Sequence, residues 1–345
     1  MPACKSVIAP LVLGALVAAA PALAQDSVEA FYRGKTITMM IGSNPGGGYD
    51  AYGRLFGRHI SKYIPGRPLI VPSNMAGAGG NTVANYVYLV APRDGTVITA
   101  SSPGSLLDPL LAEKNTFKHD PLKFNYLGSA NGEVFSCYAH ESSGVKTFQD
   151  AFTKELIVGV SGGTTQDMPR ALVNVLGVKF RLIAGYPGTR EIALAIDKGE
   201  VQGMCGQGIA NMSWQKPDWF EPGSPIRVLA QESIKGDPEL NRKGVPKTLD
   251  FAKTDEQRQI LEIVYAQGVF TRPFFVAPDV PKERVEALRK AFVQVMADPE
   301  FLAEADKQKL QITPMTGQEL EDMVRKIYAT PPDIIAKVRK AIEAQ

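Results

Sequence analysis

Short β-rich runs that end in glycine-rich turns, each followed by a helical pattern, recur along the chain and constrain its fold most. Lys35 to Gly42 is such a run, and Ser43 to Gly48 forms the turn after it. From Asp50 the apolar residues recur at helical spacing, until Pro65 and Gly66 end the helix. Because strand–turn–helix units pack their helices on the faces of a sheet, the sequence predicts an α/β protein with mostly parallel sheets.

The same unit recurs downstream, and the chain ends in a helical part. In that part, Pro281 is expected to open a helix at its first position, and Thr316 with Glu319 has the spacing of a capping box. The further predicted strands are Leu69 to Val71, Thr96 to Ala100, Glu155 to Val160 and Phe180 to Ala184. The helices that follow are predicted from Thr82 to Val90, after Ser101 to Gly104, up to Leu176 and up to Lys198.

The length of the chain favours two lobes over one sheet, because 345 residues exceed what a single core comfortably covers. The segments around Asn125 to Tyr138 and Gln267 to Val276 have an extended pattern, as crossings between lobes would. We predict lobe one at 26–130 plus 272–345 and lobe two at 131–271.

Residues 1–24 have the pattern of a secretory signal peptide. A cation precedes an apolar run from Val7 to Ala20, and small residues at Ala22 and Ala24 favour cleavage before Gln25. A membrane anchor is the alternative, but the run is shorter than the roughly 20 residues of a spanning helix. We expect an exported protein.

The chain has three cysteines, and removal of the signal peptide removes Cys4. Cys137 and Cys205 are then an even pair in an oxidising compartment, which predicts a disulfide between them. Two separate buried thiols are the alternative.

The charges exclude some classes of partner. The 38 Lys and Arg against 36 Asp and Glu are scattered, so no basic field suited to nucleic acid is expected. The three histidines, His59, His119 and His140, lack the paired spacing of metal ligands. We therefore predict neither a metal nor a cofactor.

Glycine-rich sequences at three predicted strand ends are the main indication of function. We call residues 44–50, 74–81 and 161–166 the first, second and third loop. Helix starts at the carboxyl ends of strands point unpaired N–H groups into a shared crevice, and such groups bind an anion without a charged side chain. The alternative is that the glycines only make tight turns and cap helices.

Nucleotide motifs do not account for these loops. The first loop lacks the Lys and Ser/Thr of a phosphate-binding loop, and Thr82 stands where a dinucleotide fingerprint needs a third glycine. The third loop does match one catalytic motif, since Gly159 to Gly163 fits a nucleophile elbow around Ser161. All three histidines precede Ser161, contrary to the usual order of such a triad. A triad in another order is known in unrelated folds, so a secreted serine esterase stays an alternative.

Three stretches of the sequence resemble a known family. FYRGKTITMMIGSNPGGGYDAYGRLFGRHI, PSNMAGAGGNTVANYVYLVAPRDGTVI and GYPGTREIALAIDKGEVQGMCG are similar, in register, to the solute receptors of tripartite tricarboxylate transporters, also called Bug receptors. The resemblance implies a two-lobe periplasmic binding protein fold of type II, with a ligand cleft between the lobes. It also implies capture of a small organic acid, a di- or tricarboxylate or an aromatic carboxylate, and delivery to transmembrane permease subunits. An ABC-type solute receptor is the alternative, a role in reporting to a sensor kinase is left open, and we expect a monomer.

The resemblance also places a ligand-binding set on this chain. A proximal carboxylate would lie at Asn44, Gly47, Gly48, Tyr49, Asn74, Gly77, Ala78 and Gly79. The distal group would lie at Ser161, Gly163, Thr164 and Thr165, with Tyr186 and Gly188 on a neighbouring strand end.

Four polar residues near these loops have separate interpretations. Gln207 follows a predicted strand and is expected to donate to the ligand. Asp50 is interpreted as an N-cap that orients the first loop rather than as a ligand contact. Arg170 and Arg190 lie on predicted helices, where either a grip on a distal carboxylate or a solvated or interlobe role is open.

Overall fold

The computed structural model describes residues 28–112, 117–161 and 163–343. The predicted signal peptide, residues 1–24, lies outside the described residues. No helix within the described ranges is long and apolar enough to cross a membrane.

The strands of the described residues form two sheets. One is six-stranded in the order β11-β4-β10-β3-β1-β2, and the other is five-stranded in the order β7-β6-β8-β5-β9. The strands are β1 Thr36–Ile41, β2 Leu69–Asn74, β3 Val97–Ala100, β4 Asn125–Ser129, β5 Phe135–His140, β6 Leu156–Gly159, β7 Phe180–Ile183, β8 Gly203–Gly208, β9 Ile226–Glu232, β10 Pro273–Val276 and β11 Met315–Thr316.

Helices connect and cover these strands, and residues 28–32 are helical as well. The α-helices are α1 Gly48–Ile60, α2 Asn81–Leu89, α3 Gly104–Leu111, α4 Thr164–Ala171, α5 Thr189–Asp197, α6 Ile209–Gln215, α7 Pro238–Arg242, α8 Asp255–Val269, α9 Lys282–Met296, α10 Pro299–Lys307, α11 Gly317–Tyr328 and α12 Pro332–Ile342. A π-helical turn, Leu172–Leu176, continues α4. Short 3-10 segments lie at Ser61–Tyr63, Ala78–Gly80, Pro121–Lys123, Glu141–Ser143, Phe148–Phe152, Pro217–Phe220 and Thr248–Phe251.

The prediction of mostly parallel sheets is wrong for both sheets. β1 pairs in parallel with β2 and β3, and β6 with β7 and β8, as the strand–helix units predict. β10, however, runs antiparallel to β3 and β4, and β5 runs antiparallel to β8 and β9. The physical reason is that β10 and β5 are the strands by which the chain enters a sheet from the other one. Such a strand starts at the edge where the parallel strands end.

The two crossings between the sheets are hydrogen-bonded to each other, and we call residues 130–134 and 268–272 the hinge. The N–H of Ala130 donates to the carbonyl of Arg272 at 3.0 Å, and that of Thr271 donates to Asn131 at 2.9 Å. Further along, the N–H of Glu133 donates to Gly268 at 2.7 Å. Paired backbone groups of this kind fix where each chain leaves one sheet and enters the next.

Thr313, in the segment before β11, contributes a third segment of the chain to the hinge. Its hydroxyl donates to the Asn131 side chain at 2.6 Å and accepts from the N–H of Gly132 at 2.9 Å. The hinge is therefore held from two sides.

Aromatic packing anchors α1 on the six-stranded sheet. The Phe56 ring lies 4.4 Å from that of Phe274 on β10 and 5.4 Å from that of Phe292 on α9. All three side chains are buried, and each full burial contributes roughly 1.5–3 kcal/mol. Because α1 begins just past the end of β1, this packing holds its N-terminus at the carboxyl edge of the sheet.

The C-terminal helix α12 contacts elements of both sheets. Arg339 donates to the carbonyl of Leu110 on α3 at 2.8 Å. The Asn174 amide, from the chain of the five-stranded sheet, donates to the carbonyl of Ala341 at 2.9 Å. The lobe boundaries at 130/131 and 271/272 stay a prediction, and α12 bridges the parts that they separate.

Of three smaller predictions about helix ends, the structure corrects two and confirms one. Residues 267–269 belong to α8, so this part of the predicted extended crossing is wrong, since the helix continues to the hinge itself. Pro281 is the N-cap of α9 rather than its first helical residue, with an extended ψ of 132°. The capping box of Thr316 and Glu319 is confirmed, with both reciprocal hydrogen bonds present.

The predicted disulfide between Cys137 and Cys205 is confirmed. It joins the neighbouring strands β5 and β8, whose Cα atoms are 4.0 Å apart at this point, and both cysteines are fully buried. The bond spans 68 positions of sequence, so it removes considerable freedom from the unfolded chain.

We predict that replacing both Cys137 and Cys205 with Ala destabilises the protein by about 2–4 kcal/mol, because the unfolded chain regains the entropy of an open loop. Urea denaturation of both proteins, with and without reductant, measures this. Reductant should lower the midpoint of the wild type and leave the double variant unchanged. An equal response of the two proteins to reductant would contradict the prediction.

Candidate functional site

The first loop is held by Asp50, which forms a compact polar network. Its carboxylate accepts from the N–H of Gly46 at 2.8 Å, from Arg54 Nε at 2.9 Å and from Asn74 Nδ2 at 2.8 Å. The expectation that Asp50 orients the loop is confirmed. Its assignment as N-cap is wrong: the N-cap of α1 is Gly47, and Asp50 lies three residues further on and bonds back to the loop.

The Asp50 network sets both the charge of the carboxyl and the role of Asn74. Burial alone would raise the pKa of Asp50, but the hydrogen bonds from Asn74, Gly46 and Arg54 lower it overall. The Asn74 amide also donates to the carbonyl of Ser43 at 2.9 Å and accepts from Arg54 at 2.8 Å. The side chain of Asn74, a predicted ligand contact, is thus used to join the first two loops.

The start of α1 offers unpaired backbone donors. Gly46, Gly47 and Gly48 are exposed. Among the described residues, the N–H groups of Gly48 and Tyr49 have no acceptor. These donors, with the positive end of the helix dipole, are suited to an anion.

The second loop depends on backbone conformations that favour glycine. Gly77, Gly79 and Gly80 have φ of 134°, 59° and 88°, and Ala78 also has a positive φ of 46°. A Cβ on Gly80 would lie 2.5 Å from Ser101 Oγ, so the loop lies tightly on the end of β3. Gly77, Ala78 and Gly79, the predicted contacts here, are exposed.

The third loop packs against β8. Ser161 bonds to Thr165 through its N–H at 3.2 Å and through its hydroxyl at 3.0 Å. A Cβ on Gly206 would lie 2.0 Å from the carbonyl oxygen of Thr164, so only glycine allows this approach of β8 to the start of α4. Gly163 is the N-cap of α4 and has φ 55°.

The other predicted residues of this part lie at neighbouring strand ends. Gly188 is the N-cap of α5. The Tyr186 ring packs near Gly159, 3.3 Å from where a Cβ on that glycine would lie. Gln207, on β8, is 6% exposed, and its Nε2 has no hydrogen-bond partner among the described residues. An unpaired buried donor is unfavourable by about 1–3 kcal/mol.

A pocket of about 500 Å³ adjoins the first loop. It lies between that loop, the hinge, the start of α6 and the segment after α10. Its lining residues are Gly46, Gly47, Gly48, Ala51, Tyr52, Asn131, Glu133, Ala210, Asn211, Arg272, Gln308, Lys309, Leu310 and Gln311. The structure thus brings Gly47 and Gly48 together with residues of the hinge, whereas the residues of the second and third loops do not line this pocket.

Arg272 is the main site residue that the sequence analysis missed. Its guanidinium carbon lies 4.4 Å from the centre of the Tyr49 ring and 5.0 Å from that of Tyr52, both within cation–π range. Its Nη1 donates to the carbonyl of Thr271 at 2.9 Å, and its buried Nε has no partner among the described residues. No glycine or repeat marks position 272, so only its place in an extended crossing segment could have indicated it.

Acidic residues also line the gap between the sheets. Asp108 on α3 accepts from Asn81 Nδ2 at 2.6 Å, and it shares a cavity of about 130 Å³ with Asp167 on α4. Burial raises the pKa of both carboxyls, that of Asp167 to about 6. Asp108 lies 3.7 Å from where a Cβ on Gly79 would be, so the second loop faces a carboxyl as well as solvent.

Glu232 is a buried carboxyl at the end of β9. It is 1% exposed and accepts from the N–H of Gly206 at 2.5 Å, while its Oε1 has no partner among the described residues. Burial raises its pKa to about 8.

The side chains proposed for other roles are engaged elsewhere. Arg170 donates to the carbonyl of Ile342 at the end of α12, at 3.3 Å, and Arg190 is exposed. His59 bonds to Glu304, His119 to Asn85 and Ser105, and His140 to Ser142. None of these bonds reaches Ser161, so the described residues contain no serine–histidine pair there.

Comparisons with known proteins bear on the fold. No protein-family model and no curated protein matches the chain. A TctC solute binding protein from Polaromonas superposes with a TM-score of 0.70 at 18% identity, covering 89% of this chain and 99% of that one. MatC from Rhodopseudomonas palustris with bound malate gives 0.57 at 17% identity, over 90% and 99% of the two chains. Rpa4515 from the same organism with adipate gives 0.58 at 21% identity, over 89% and 97%.

The chain has the fold of the periplasmic binding proteins. This confirms the predicted fold class: two α/β lobes of type II with a cleft between them. The two sheets share one topology, since β2-β1-β3-β10-β4 and β7-β6-β8-β5-β9 have the same arrangement of parallel and antiparallel neighbours. In this binding-protein fold, the three glycine loops all follow the carboxyl ends of parallel strands, at the edges that face the cleft.

We predict that Asp50→Asn destabilises the binding-protein fold by about 1–3 kcal/mol at pH 7, since Arg54 loses its buried counter-ion and an amide group faces donors. Asp255→Asn, an exposed acid in the first turn of α8, is the matched control and should change little. Because the pKa of Asp50 is lowered by folding, its contribution is present at neutral pH and is lost as the pH falls below about 4. Urea midpoints of the three proteins at pH 7 and 3.5 measure both effects; a constant difference across this range would argue against the network.

We predict that stability falls as the pH rises from about 5 to 8, and that Glu232→Gln makes this fall shallower by up to about 1.4 kcal/mol per pH unit. The folded protein keeps a proton on Glu232 that the unfolded chain releases, because its pKa is raised to about 8 on folding. The amide oxygen of the variant still accepts from Gly206. Denaturation at steps of half a pH unit measures the slope, and identical slopes in the two proteins would exclude this role.

Proposed function

We propose that the protein is a periplasmic receptor of a tripartite tricarboxylate transporter, which captures a small organic acid between two closing lobes. The observation that carries the proposal is the start of α1. There, Gly47 and Gly48 open onto a pocket between the lobes, with free N–H groups at Gly48 and Tyr49 and the Arg272 guanidinium facing them. An anion at this place is stabilised by the N–H groups and dipole of the helix N-terminus, and it accepts a charge-assisted hydrogen bond from Arg272.

The ligands of similar structures support an acid. MatC holds malate and Rpa4515 holds adipate, and both are dicarboxylates. In this chain the net charge of +2 is too small to attract an anion by itself. The attraction is therefore local and comes from the loops and Arg272.

Capture proceeds in two steps in this proposal. One carboxylate binds first at the proximal set, formed by Asn44, Gly47, Gly48 and Tyr49 with Gly77, Ala78 and Gly79, while Asn74 holds the two loops together. Closure then brings the distal set into contact: Ser161, Gly163, Thr164, Thr165, Tyr186, Gly188 and the unpaired amide of Gln207. Because a ligand shifts the open–closed balance only by its differential affinity for the two states, the distal set determines closure and specificity.

The setting of the receptor follows from the same proposal. Export through the signal peptide, with cleavage after Ala24, places the protein in the periplasm as a monomer. There it delivers the acid to the transmembrane permease subunits. The Cys137–Cys205 disulfide fits an oxidising compartment.

We predict that C4 to C8 dicarboxylates, citrate or aromatic carboxylates bind, whereas uncharged sugars do not. Gly48→Leu should weaken the best acid at least about tenfold, because the new side chain fills the space toward Arg272. A Cβ at this position lies at an ordinary 3.6 Å from Arg272 Nη2, so the variant is expected to fold. Isothermal titration measures the affinities.

Lys282→Leu is the matched control, since it changes the first residue of α9, which begins at the other end of the sheet. Its affinity for the acid should equal that of the wild type. Binding of sugars without any acid would refute the proposal, and so would an unchanged affinity in the Gly48 variant.

A further inference from the structure

Two acidic side chains that belong to different sheets share one small cavity. Asp108 lies on α3, which follows β3 of the six-stranded sheet, and Asp167 lies in the first turn of α4, which follows β6 of the five-stranded sheet. Both line the cavity of about 130 Å³ that these two helices enclose together with α8 and α12. A cavity of this volume holds only a few water molecules, so the two carboxyls lie near each other and away from bulk solvent.

The surroundings of the two acids compensate their charge poorly. Among the described residues that line the cavity, Gln267 is the one other polar side chain. Asp108 accepts a hydrogen bond from Asn81 Nδ2 at 2.6 Å. Arg170, one turn further along α4, donates its Nη1 to the carbonyl of Ile342 at 3.3 Å. Two like charges in such a place are unfavourable, and a proton on one of them removes their repulsion.

The pKa values of the two acids agree with this geometry. Burial raises the pKa of Asp167, the charge of Arg170 lowers it and that of Asp108 raises it again, to about 6 overall. Burial also raises the pKa of Asp108, against the hydrogen bond from Asn81. A solvated Asp titrates at about 3.9. The enclosed pair therefore holds a proton at a pH at which two solvated carboxyls have released it.

Other charged or titratable groups pack around the same two helices. They are Arg170 on α4, Arg339 on α12, Tyr328 on α11, His119 and Asp120 before β4, and Glu232 on β9 behind α4. His119, Tyr328 and Arg339 bond to carbonyls of α3 itself, at 2.8, 2.9 and 2.8 Å. Asp120 caps the 3-10 segment that follows it, and Glu232 accepts from an N–H group of its own sheet. Because none of these bonds spans the gap between α3 and α4, opening of the gap changes the surroundings of Asp108 and Asp167 most.

We propose that closure of the lobes takes up a proton from solvent, which Asp108 and Asp167 share, so that the receptor binds its ligand more tightly as the pH falls. Opening of the gap between α3 and α4 admits water to both carboxyls and releases the proton. By linkage, the state that binds more protons is favoured at lower pH. The inference rests on the proposed function and adds a proton to the capture step, without changing which residues contact the ligand.

The test compares the pH dependence of binding in the wild type and in the double variant Asp108→Asn/Asp167→Asn. Isothermal titration from about pH 8 to about pH 5 uses the tightest ligand of the carboxylate panel, and protonation of the ligand cancels in the ratio of the two affinities. With a pKa of about 6 in the enclosed pair and about 3.9 in the open one, the wild type should gain about tenfold on the variant over this range. Titration at the lowest pH in two buffers of different ionisation enthalpy should show that the wild type takes up about one proton more than the variant.

Single variants test whether the two acids act as a pair. Asp108→Asn and Asp167→Asn should each lose part of the pH response, because the remaining carboxyl no longer faces a like charge. Asp255→Asn, the exposed acid in the first turn of α8, is the matched control and should respond as the wild type does. Thermal midpoints show which variants are folded, and the single variants decide the question if the double variant is not.

The outcomes that contradict the inference differ from those that contradict the proposed function. A ratio of affinities that stays within about twofold from pH 8 to pH 5 overturns the proton uptake. A full wild-type response in either single variant overturns the pairing of Asp108 with Asp167. Both results leave the receptor proposal intact, whereas a wild type that binds no member of the panel at any pH overturns that proposal itself.

Discussion

The backbone hydrogen bonds of the hinge determine most of what this structure can do. They join residues 130–133 to residues 268–272, and the Thr313 side chain bonds a third segment of the chain to residues 131 and 132. Because each crossing enters its new sheet at the edge where the parallel strands end, the glycine loops of both sheets face the same gap. The same pairing places Arg272 and Glu133 in the gap, so the site and the joint between the lobes are built from the same residues.

Much of this architecture could be predicted from the sequence because its signals are local. β1, β2, β3, β6 and β7 each end in a turn that the sequence marks with glycine or proline, and the helices after them show helical spacing. The antiparallel strands β5 and β10 could not be oriented in the same way. Their direction depends on which sheet the preceding segment belongs to, and no local pattern carries that information.

The residues of the candidate site also differ in whether a local sequence pattern indicates them. The glycine loops are visible in the sequence because positive φ and close approach require glycine, as at Gly80 and Gly206. Arg272, Glu133 and Glu232 are not visible, because an isolated charged residue looks the same in a solvated loop as in a buried hinge. Asn74 is an intermediate case. The sequence places it at the correct strand end, but its side chain is hydrogen-bonded to Asp50 and Arg54 and does not point into open space.

The electrostatics of the cleft come from a small number of fixed groups. Unpaired N–H groups at the start of α1 and the Arg272 guanidinium provide the positive part. Asp108, Asp167 and Glu133 provide carboxyls whose pKa burial raises, that of Asp167 to about 6.

The position of β10 has a consequence for the order in which the chain can be assembled. All strands of the five-stranded sheet come from residues 135–232, and the disulfide closes within them, so this sheet can complete its hydrogen bonds from one continuous piece of chain. The six-stranded sheet cannot, because β10 lies between β3 and β4. Until residues 273–276 have been made, β4 has no neighbour that links it to β1, β2 and β3. The half of the molecule that is synthesised first is therefore the half that is finished last.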